Sequence, residues 1–392
     1  MTSLSFLNRD TELFDTDVNL SKKILINLIS KSNILIIGAA GTIGKSTVKE
    51  IIKFFPKKIH AVDISENNIV ELVRDVRSSS DFTQTDFKTF ALDCGSKEFE
   101  YFVDKEGPYD YVLNLSALKH VRSEKDQFTL MRMINLNIFN SIKILHLTKP
   151  KKYFCVSTDK ATNPINMMGA SKAIMEKFLF RESLKFKISM ARFANVLFSD
   201  GSLLHGFNQR FLNQQPFSVP NDIQRYFITQ KESGQLCLMS SFLGDNRDIF
   251  FPKINNNLKL IKFTDLAILY LELKGYEVYI CNSENEAREM CKELISKKKW
   301  PCYFFKSDTT GEKTEEEFYT KSEKLNMDKF QNIGIIKNKA VYDDLALKDF
   351  ENKINFFQKN LSWSRADLIQ MFSSILPNFD HYETGKYLDE KM

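Results

Sequence analysis

From Asn33 to Val196 short apolar runs alternate with amphipathic stretches, and this alternation constrains the fold more than any other feature of the chain. Asn33-Ile-Leu-Ile-Ile-Gly38 is a continuous apolar run, as a parallel strand buried on both faces should be. Lys58–Asp63, Phe87–Asp93, Tyr109–Leu115, Lys152–Ser157 and Lys187–Val196 read as further strands. A glycine turn opens an amphipathic helix reaching about Phe55, and Asn67–Arg77, Lys97–Lys105, Phe128–Leu147 and Gly169–Leu184 read as helices. Strand and helix in regular alternation predict an α/β fold built on a doubly wound parallel sheet.

Residues 1–32 read as a lead segment ending in a helix, Leu20–Ser30. Residues 33–197 read as a dinucleotide-binding Rossmann domain. Residues 198–392 read as a smaller C-terminal substrate-binding α/β region, interleaved with the last elements of the sheet. There Phe198–Arg225 is turn-rich, Lys231–Leu243 reads as a helix and Asp248–Pro252 as a strand. Tyr276–Lys306 reads strand, acidic–basic helix, strand, an added β-α-β piece. Asn360–Met392 reads as an amphipathic helix followed by a polar tail.

Composition narrows the function classes. Lys+Arg 55 against Asp+Glu 50 gives a net charge of only +5 over 392 residues, which argues against a dedicated nucleic-acid binder. No apolar run is long enough for a membrane-spanning helix, and Met1–Asp17 lacks a signal-peptide core. The six cysteines form no C-x-x-C pair, so no metal site is expected, and a reducing cytoplasm is the expected location.

Gly38-Ala-Ala-Gly41-Thr-Ile-Gly44 follows the first strand and opens a helix. Glycines there let a pyrophosphate approach backbone N–H groups at the helix N-terminus, so Gly38, Gly41, Thr42, Ile43 and Gly44 read as a dinucleotide cradle. Lys45-Ser46 does not make this a phosphate loop, because Gly38 and Gly44 are separated by five residues rather than four. Asp63 ends the second strand 19 residues after Gly44. A carboxylate there suits both ribose hydroxyls and repels a 2′-phosphate, which favours NAD over NADP. A plain helix cap is the competing reading of Asp63. Asp93 is placed to reach the adenine amine, and Ser116 reads as a further cofactor contact.

Reactive side chains cluster at strand ends in three segments, Asn114–Val121, Val156–Ala161 and Asn163–Lys172. In such a sheet the carboxyl ends of the strands form the ligand crevice. Thr158, Asp159 and Lys160 place a hydroxyl, an acid and a base there, the groups for proton transfers coupled to hydride transfer. Lys172 is placed on the first turn of the following helix, within reach of a ribose hydroxyl.

In order along the chain come the glycine turn, Ala117-Leu-Lys-His-Val121, Ser157-Thr-Asp-Lys-Ala161, Asn163-Pro-Ile-Asn166, Gly169-Ala-Ser-Lys172, Arg192-Phe-Ala-Asn-Val196 and Arg225-Tyr-Phe-Ile-Thr229. This set resembles the extended short-chain dehydrogenase/reductase superfamily, and within it the nucleotide-sugar 4,6-dehydratases acting on UDP-N-acetylglucosamine. The resemblance covers roughly residues 5–260 and resumes at Gly311-Glu-Lys313 with Glu316-Glu317. The superfamily's tyrosine position is Met168, and a thioether cannot deprotonate an alcohol. The membrane-anchored branch of these dehydratases is similar in carrying methionine there, and residues 5–32 resemble that branch's run-in. Without its membrane helices, the resemblance implies a soluble relative for glycan synthesis.

The resemblance implies oxidation at sugar C4, loss of water across C5–C6 and hydride return to C6. It implies Asp159 as the acid at the C6 hydroxyl, Lys160 as the base at C5 and Thr158 at the C4 oxygen; without the tyrosine the C4 base stays open between Lys172 acting through Thr158 and Asp159 acting through water. Lys119, His120, Asn166, Asn195, Ser202 and Arg225 would bind the substrate, Arg225 as a diphosphate clamp. Thr309–Lys313 lacks the family loop's Arg-Pro, and Tyr276–Cys302 has no counterpart in the family pattern. A homo-oligomer is expected. Two other outcomes stay open on this sequence: an epimerase, or dehydratase with C5 epimerisation, on the same fold, and a non-catalytic nucleotide-sugar sensor.

Overall fold

The structure is a computed structural model that describes residues 3–80 and 85–387. Its strands in chain order are β1 (Asn33–Ile37), β2 (Lys58–Asp63), β3 (Asp86–Ala91), β4 (Tyr111–Asn114), β5 (Lys152–Thr158), β6 (Ile188–Phe193), β7 (Asn195–Val196), β8 (Phe217–Pro220), β9 (Gln224–Ile228), β10 (Asp248–Pro252), β11 (Leu260–Lys262), β12 (Glu277–Cys281), β13 (Lys299–Phe305), β14 (Leu325–Asn326) and β15 (Ile333–Lys337). The α-helices through the sheet are α1 (Asp15–Ile29), α2 (Thr42–Ile52), α3 (Glu66–Arg77), α4 (Lys97–Glu106), α5 (Gln127–Ile134), α6 (Asn140–Thr148) and α7 (Met167–Glu182). Then come α8 (Leu203–Leu212), α9 (Gln230–Leu243), α10 (Phe263–Leu273), α11 (Glu284–Glu289), α12 (Cys291–Ser296), α13 (Asp344–Asn360) and α14 (Arg365–Ile375).

Among the described residues nine strands form one sheet in the order β14-β15-β10-β6-β5-β4-β1-β2-β3. From β3 to β10 all neighbours run parallel; β15 then pairs antiparallel with β10, and β14 antiparallel with β15 at the edge. The order reverses between β1 and β4, so a crevice opens at their carboxyl ends. The apolar strands are buried on both faces because helices cover both sides.

Three expectations shift. The lead helix begins at Asp15 rather than Leu20, and the buried Asp17 carboxylate in its first turn accepts the backbone N–H groups of Gln331 and Asn332 at 2.5 and 2.8 Å. The Phe128–Leu147 helix is interrupted by a π turn, Asn135–Phe139. That turn places Asn137 to bond both backbone groups of Leu118, each at 3.0 Å, next to Lys119. Helix α13, where the sequence suggested no element, packs Phe350 onto Phe139 and Phe178. The end of the expected polar tail, 388–392, lies outside the described residues.

A second, smaller core gathers Phe207, Phe217, Tyr270, Trp300 and Cys302. The added β-α-β piece builds it: β13 pairs parallel with β12 on one side and β8 on the other. Trp300 stacks on Phe211 at 4.7 Å and donates its indole N–H to Gln215 at 3.1 Å. The lead segment also docks, with Arg9 paired to the buried Glu232 at 2.8 Å.

Candidate active site

Strand β5 carries its apolar run to Thr158 and stops in a single 3₁₀ turn, Asp159–Ala161. The Thr158 hydroxyl donates to Asp159 Oδ1 at 2.9 Å and accepts the Lys160 N–H at 3.3 Å, which fixes the turn. Asp159 is 2% exposed. Lys160 Nζ donates to Asp159 Oδ1 at 3.0 Å and to Asn195 Oδ1 at 3.3 Å. Adjacent in sequence, the acid and the base therefore also meet side chain to side chain, in a partly buried setting where their interaction is poorly screened.

A residue that the sequence reading did not place in the site completes this group. Glu316, 4% exposed, presents Oε1 to Lys160 Nζ at 3.8 Å and to Arg225 Nη2 at 3.7 Å, and Oε2 to Lys313 Nζ at 3.9 Å. Oε2 has no hydrogen-bond partner. Burial pushes the carboxyl above its ordinary range, and Asp159 adds to the push, while Lys160, Arg225 and Lys313 oppose it. The signal in the sequence was the acidic run after Gly311-Glu-Lys313, which shows no periodicity that would turn one member inward.

Arg225 is not displayed as a diphosphate clamp. It is 3% exposed, with Nη1 donating to Gln224 O and Thr314 O at 2.9 Å each and Nη2 facing Glu312 and Glu316. Asn166 is likewise turned inward at 2% exposure: its carbonyl caps α7 at the Gly169 N–H, 2.8 Å, and its amide donates to Gly311 O, 2.8 Å. Lys172 sits on the second turn of α7, not the first, at 3% exposure, with Nζ donating to Val156 O at 3.1 Å. Burial depresses its ammonium, and Cys155 and Glu176 partly compensate. Met168, also buried, occupies the first turn of the same helix. Ser202 caps α8 by accepting the His205 N–H at 3.3 Å.

The glycine turn is built for a ligand with phosphates. Gly38 adopts φ +73° and abuts Leu115 and Ser116, where a Cβ would lie 2.7 Å from the Ser116 nitrogen. A Cβ on Gly44 would lie 2.1 Å from Gly38 O, so this glycine serves strand–helix packing. Gly41 differs: its Cβ would meet only Gly38 O, at 3.6 Å, and no side chain caps α2 there. The amides of Thr42 and Ile43 open α2 without a side-chain cap, where a pyrophosphate would bind. Asp63 accepts the Ala40 and Ser65 N–H groups at 2.9 and 3.0 Å, tying the turn to β2. It thus serves as a turn anchor where a ribose would bind. Ser116 donates to Asn114 at 2.6 Å and lies near Cys94. Asp93, two residues past β3, accepts the Gly95 N–H at 2.8 Å.

Across the crevice Thr42 donates to Asp200 at 3.2 Å, so the 198–202 turn closes over the glycines. His120 packs against Gly201, where a Cβ would lie 2.6 Å from its ring. Burial lowers His120, and the neighbouring Lys119 and Arg122 charges lower it further. Lys119 itself is exposed, with Asp200 its opposing charge.

This sheet order, glycine turn and pair of reactive groups at the end of β5 define a short-chain dehydrogenase/reductase fold. The chain belongs to the family described as polysaccharide biosynthesis protein, whose model matches residues 34–338. It is 26% identical over 354 residues to an uncharacterised membrane protein of Methanocaldococcus jannaschii, covering 86% of this chain and 98% of that one. It is 29% identical over 265 residues to the capsular polysaccharide biosynthesis protein CapD of Staphylococcus aureus, covering 66% of this chain and 43% of that one. A UDP-N-acetylglucosamine 4,6-dehydratase (inverting) of Campylobacter jejuni matches at 27% over 252 residues, 61% of this chain and 71% of that one. Among solved structures, Pen from Bacillus thuringiensis superposes with a TM-score of 0.64 at 21% identity, covering 84% of this chain and 98% of that one. DesIV, a dTDP-glucose 4,6-dehydratase from Streptomyces venezuelae solved with NAD, superposes at 0.56 and 12% identity, covering 73% and 88%. Among the described residues no helix is long and apolar enough to cross a membrane.

Proposed function

We propose that this chain is an NAD-dependent nucleotide-sugar 4,6-dehydratase, with UDP-N-acetylglucosamine as the first substrate to test and a 4-keto-6-deoxy sugar nucleotide as product. One observation carries the reading: a nearly buried carboxyl and a lysine amine touch at 3.0 Å at the carboxyl end of β5. Gly41, the Thr42 and Ile43 amides and Asp63 would hold the cofactor. Its contribution when bound is reversible hydride acceptance, which makes sugar C4 a ketone and so acidifies the proton at C5.

The protein's share is proton traffic. As an ion pair, Asp159 and Lys160 hold one proton on the amine. Moving it across their contact yields a neutral amine and a neutral acid, the two forms that elimination requires. Nζ then takes the C5 proton while the Asp159 proton goes to the departing C6 oxygen, which leaves as water. The ion pair is restored, so the pair needs no proton from solvent in this step. Thr158, whose hydroxyl already bonds Asp159, takes the C4 oxygen. The C4 hydroxyl proton would leave to solvent on oxidation. Lys160 would return a proton to C5 on hydride return to C6 and be recharged from solvent, so that protons balance over the cycle.

Mass spectrometry of the purified protein incubated with NAD and UDP-N-acetylglucosamine tests this. Loss of one water without net NADH formation is expected. A product of unchanged mass but altered mobility would make the chain an epimerase. An unaltered substrate, here and across a panel of nucleotide sugars, would overturn the reading.

A further inference from the structure

Beyond Asp159 and Lys160, we infer that Glu316 is the positioning residue that holds Lys160 in line, through a carboxylate set among three cations in the floor of the site. The inference rests on the dehydratase reading for its link to turnover, and on geometry for everything else.

Glu316 belongs to neither strand nor helix, yet it is as buried as a core residue. A carboxylate at that depth normally makes close hydrogen bonds. Here Lys160, Arg225 and Lys313 all stand at 3.7–3.9 Å, beyond hydrogen-bond length, and one oxygen is unpartnered. Arg225 and Lys313 are each committed elsewhere by backbone carbonyls, Arg225 at Gln224 and Thr314 and Lys313 at Thr162. Lys160 is not: its other contacts are the side chains of Asp159 and Asn195. Arg225 and Lys313 therefore fix the carboxylate, and the carboxylate fixes the one cation of the three that has chemistry to do. Its chain neighbours point away, Glu315 to Gln224 and Glu317 to Asn163.

The charges facing Glu316 are Lys160 and Asp159 from the end of β5, Arg225 from β9, and Lys313 from its own loop, with Glu312 on the far side of Arg225. When Glu316 takes a proton it stops holding Lys160, so acidification lowers turnover. Burial raises the pH at which this happens above that of an ordinary glutamate.

Two measurements on the full chain test the link, one independent of any substrate. Carbon-13 NMR of labelled glutamate follows the Glu316 carboxyl, assigned by its loss in Glu316→Gln. Lys160→Met should move its titration to higher pH, because a facing cation is gone. Lys313→Met should do the same, which keeps the test available if one variant fails to fold. A Glu316 titration indifferent to Lys160 would overturn the inference whether or not a substrate is known.

The second measurement is the pH profile of kcat with NAD and UDP-N-acetylglucosamine. Glu316→Gln should lower kcat by about 10²-fold, leave KM little changed and lose the acid limb that Glu316 supplies. Glu316→Asp should recover part of kcat together with the limb. A kcat loss with the wild-type limb intact would reduce Glu316 to a structural residue. Absence of turnover in the wild type would sink the dehydratase reading, and the NMR result would stand apart from it.

Discussion

Arg192 and Glu176 meet in parallel contacts beneath the reactive strand, Nε to Oε1 at 3.0 Å and Nη2 to Oε2 at 2.8 Å. The same Oε1 accepts the Ser157 hydroxyl at 2.6 Å, and Glu323 reaches the guanidinium at 3.0 Å. Burial works against the Arg192 charge, and the two carboxylates outweigh it. Breaking such a pair leaves a charge in the interior. Glu176→Gln should therefore cost about 3 kcal/mol in urea unfolding. Removing Lys49, half of an ion pair whose side chains are 44% and 48% exposed, should cost under about 1 kcal/mol. Equal costs would show that the buried network carries no special weight.

Asp159→Asn should abolish elimination while sparing the fold. The amide oxygen still accepts from Thr158 and Lys160, so the turn survives, but no proton is available for the leaving hydroxyl. Turnover should fall about 10²–10⁴-fold with NAD affinity unchanged, as read by product mass and by calorimetric titration. Undiminished turnover would remove Asp159 from the mechanism.

The glycines of the turn should separate folding from binding. Gly44→Ala forces a Cβ to 2.1 Å from a backbone oxygen and 2.6 Å from Ala39, and should destabilise by about 1–3 kcal/mol or more. Gly41→Ala meets nothing closer than 3.6 Å. It should melt with the wild type yet weaken NAD binding by about tenfold or more, since the methyl enters the pyrophosphate's space. Loss of stability without loss of affinity at Gly41 would contradict the cradle.

His60 should make stability fall on mild acidification. It is fully buried on β2, within 2.9 Å of the Tyr109 hydroxyl, and burial, aided by Lys58, lowers its pKa to about 4. Unfolded, it titrates near 6.5. Between those values the unfolded chain binds the extra proton, so stability is whole above pH 6.5 and declines toward pH 4, by about 3 kcal/mol. In His60→Gln the loss between pH 6.5 and 4 should be smaller by that amount. Parallel curves for the two proteins would rule His60 out as the cause.

Local pattern carried much of this molecule. The apolar run of β1 and the turn after it stand where the sequence put them, because a strand buried on both faces has no room for polar residues. The strand Asp248–Pro252 has the same bounds in both readings. The β-α-β piece formed, but its partner β8 lies some 80 residues upstream of β13, a pairing that no local period announces. Asn166 and Arg225 looked like ligand-facing residues by their motifs. Folding gave their donors to Gly311 and Thr314 instead, from a loop far along the chain.

The sequence by itself therefore determined the first six strands of the sheet, the glycine turn and the adjacency of Thr158, Asp159 and Lys160, since each depends on neighbours a few residues apart. Only the tertiary structure decided what surrounds them. Glu316 comes to Lys160 from 156 positions away, Glu323 to Arg192 from 131, and Lys172 is turned under β5 rather than into the crevice. Periodicity specifies which face of an element is apolar, but the partner of a buried charge is chosen by how distant segments pack, where desolvation makes an unpaired group too costly to leave.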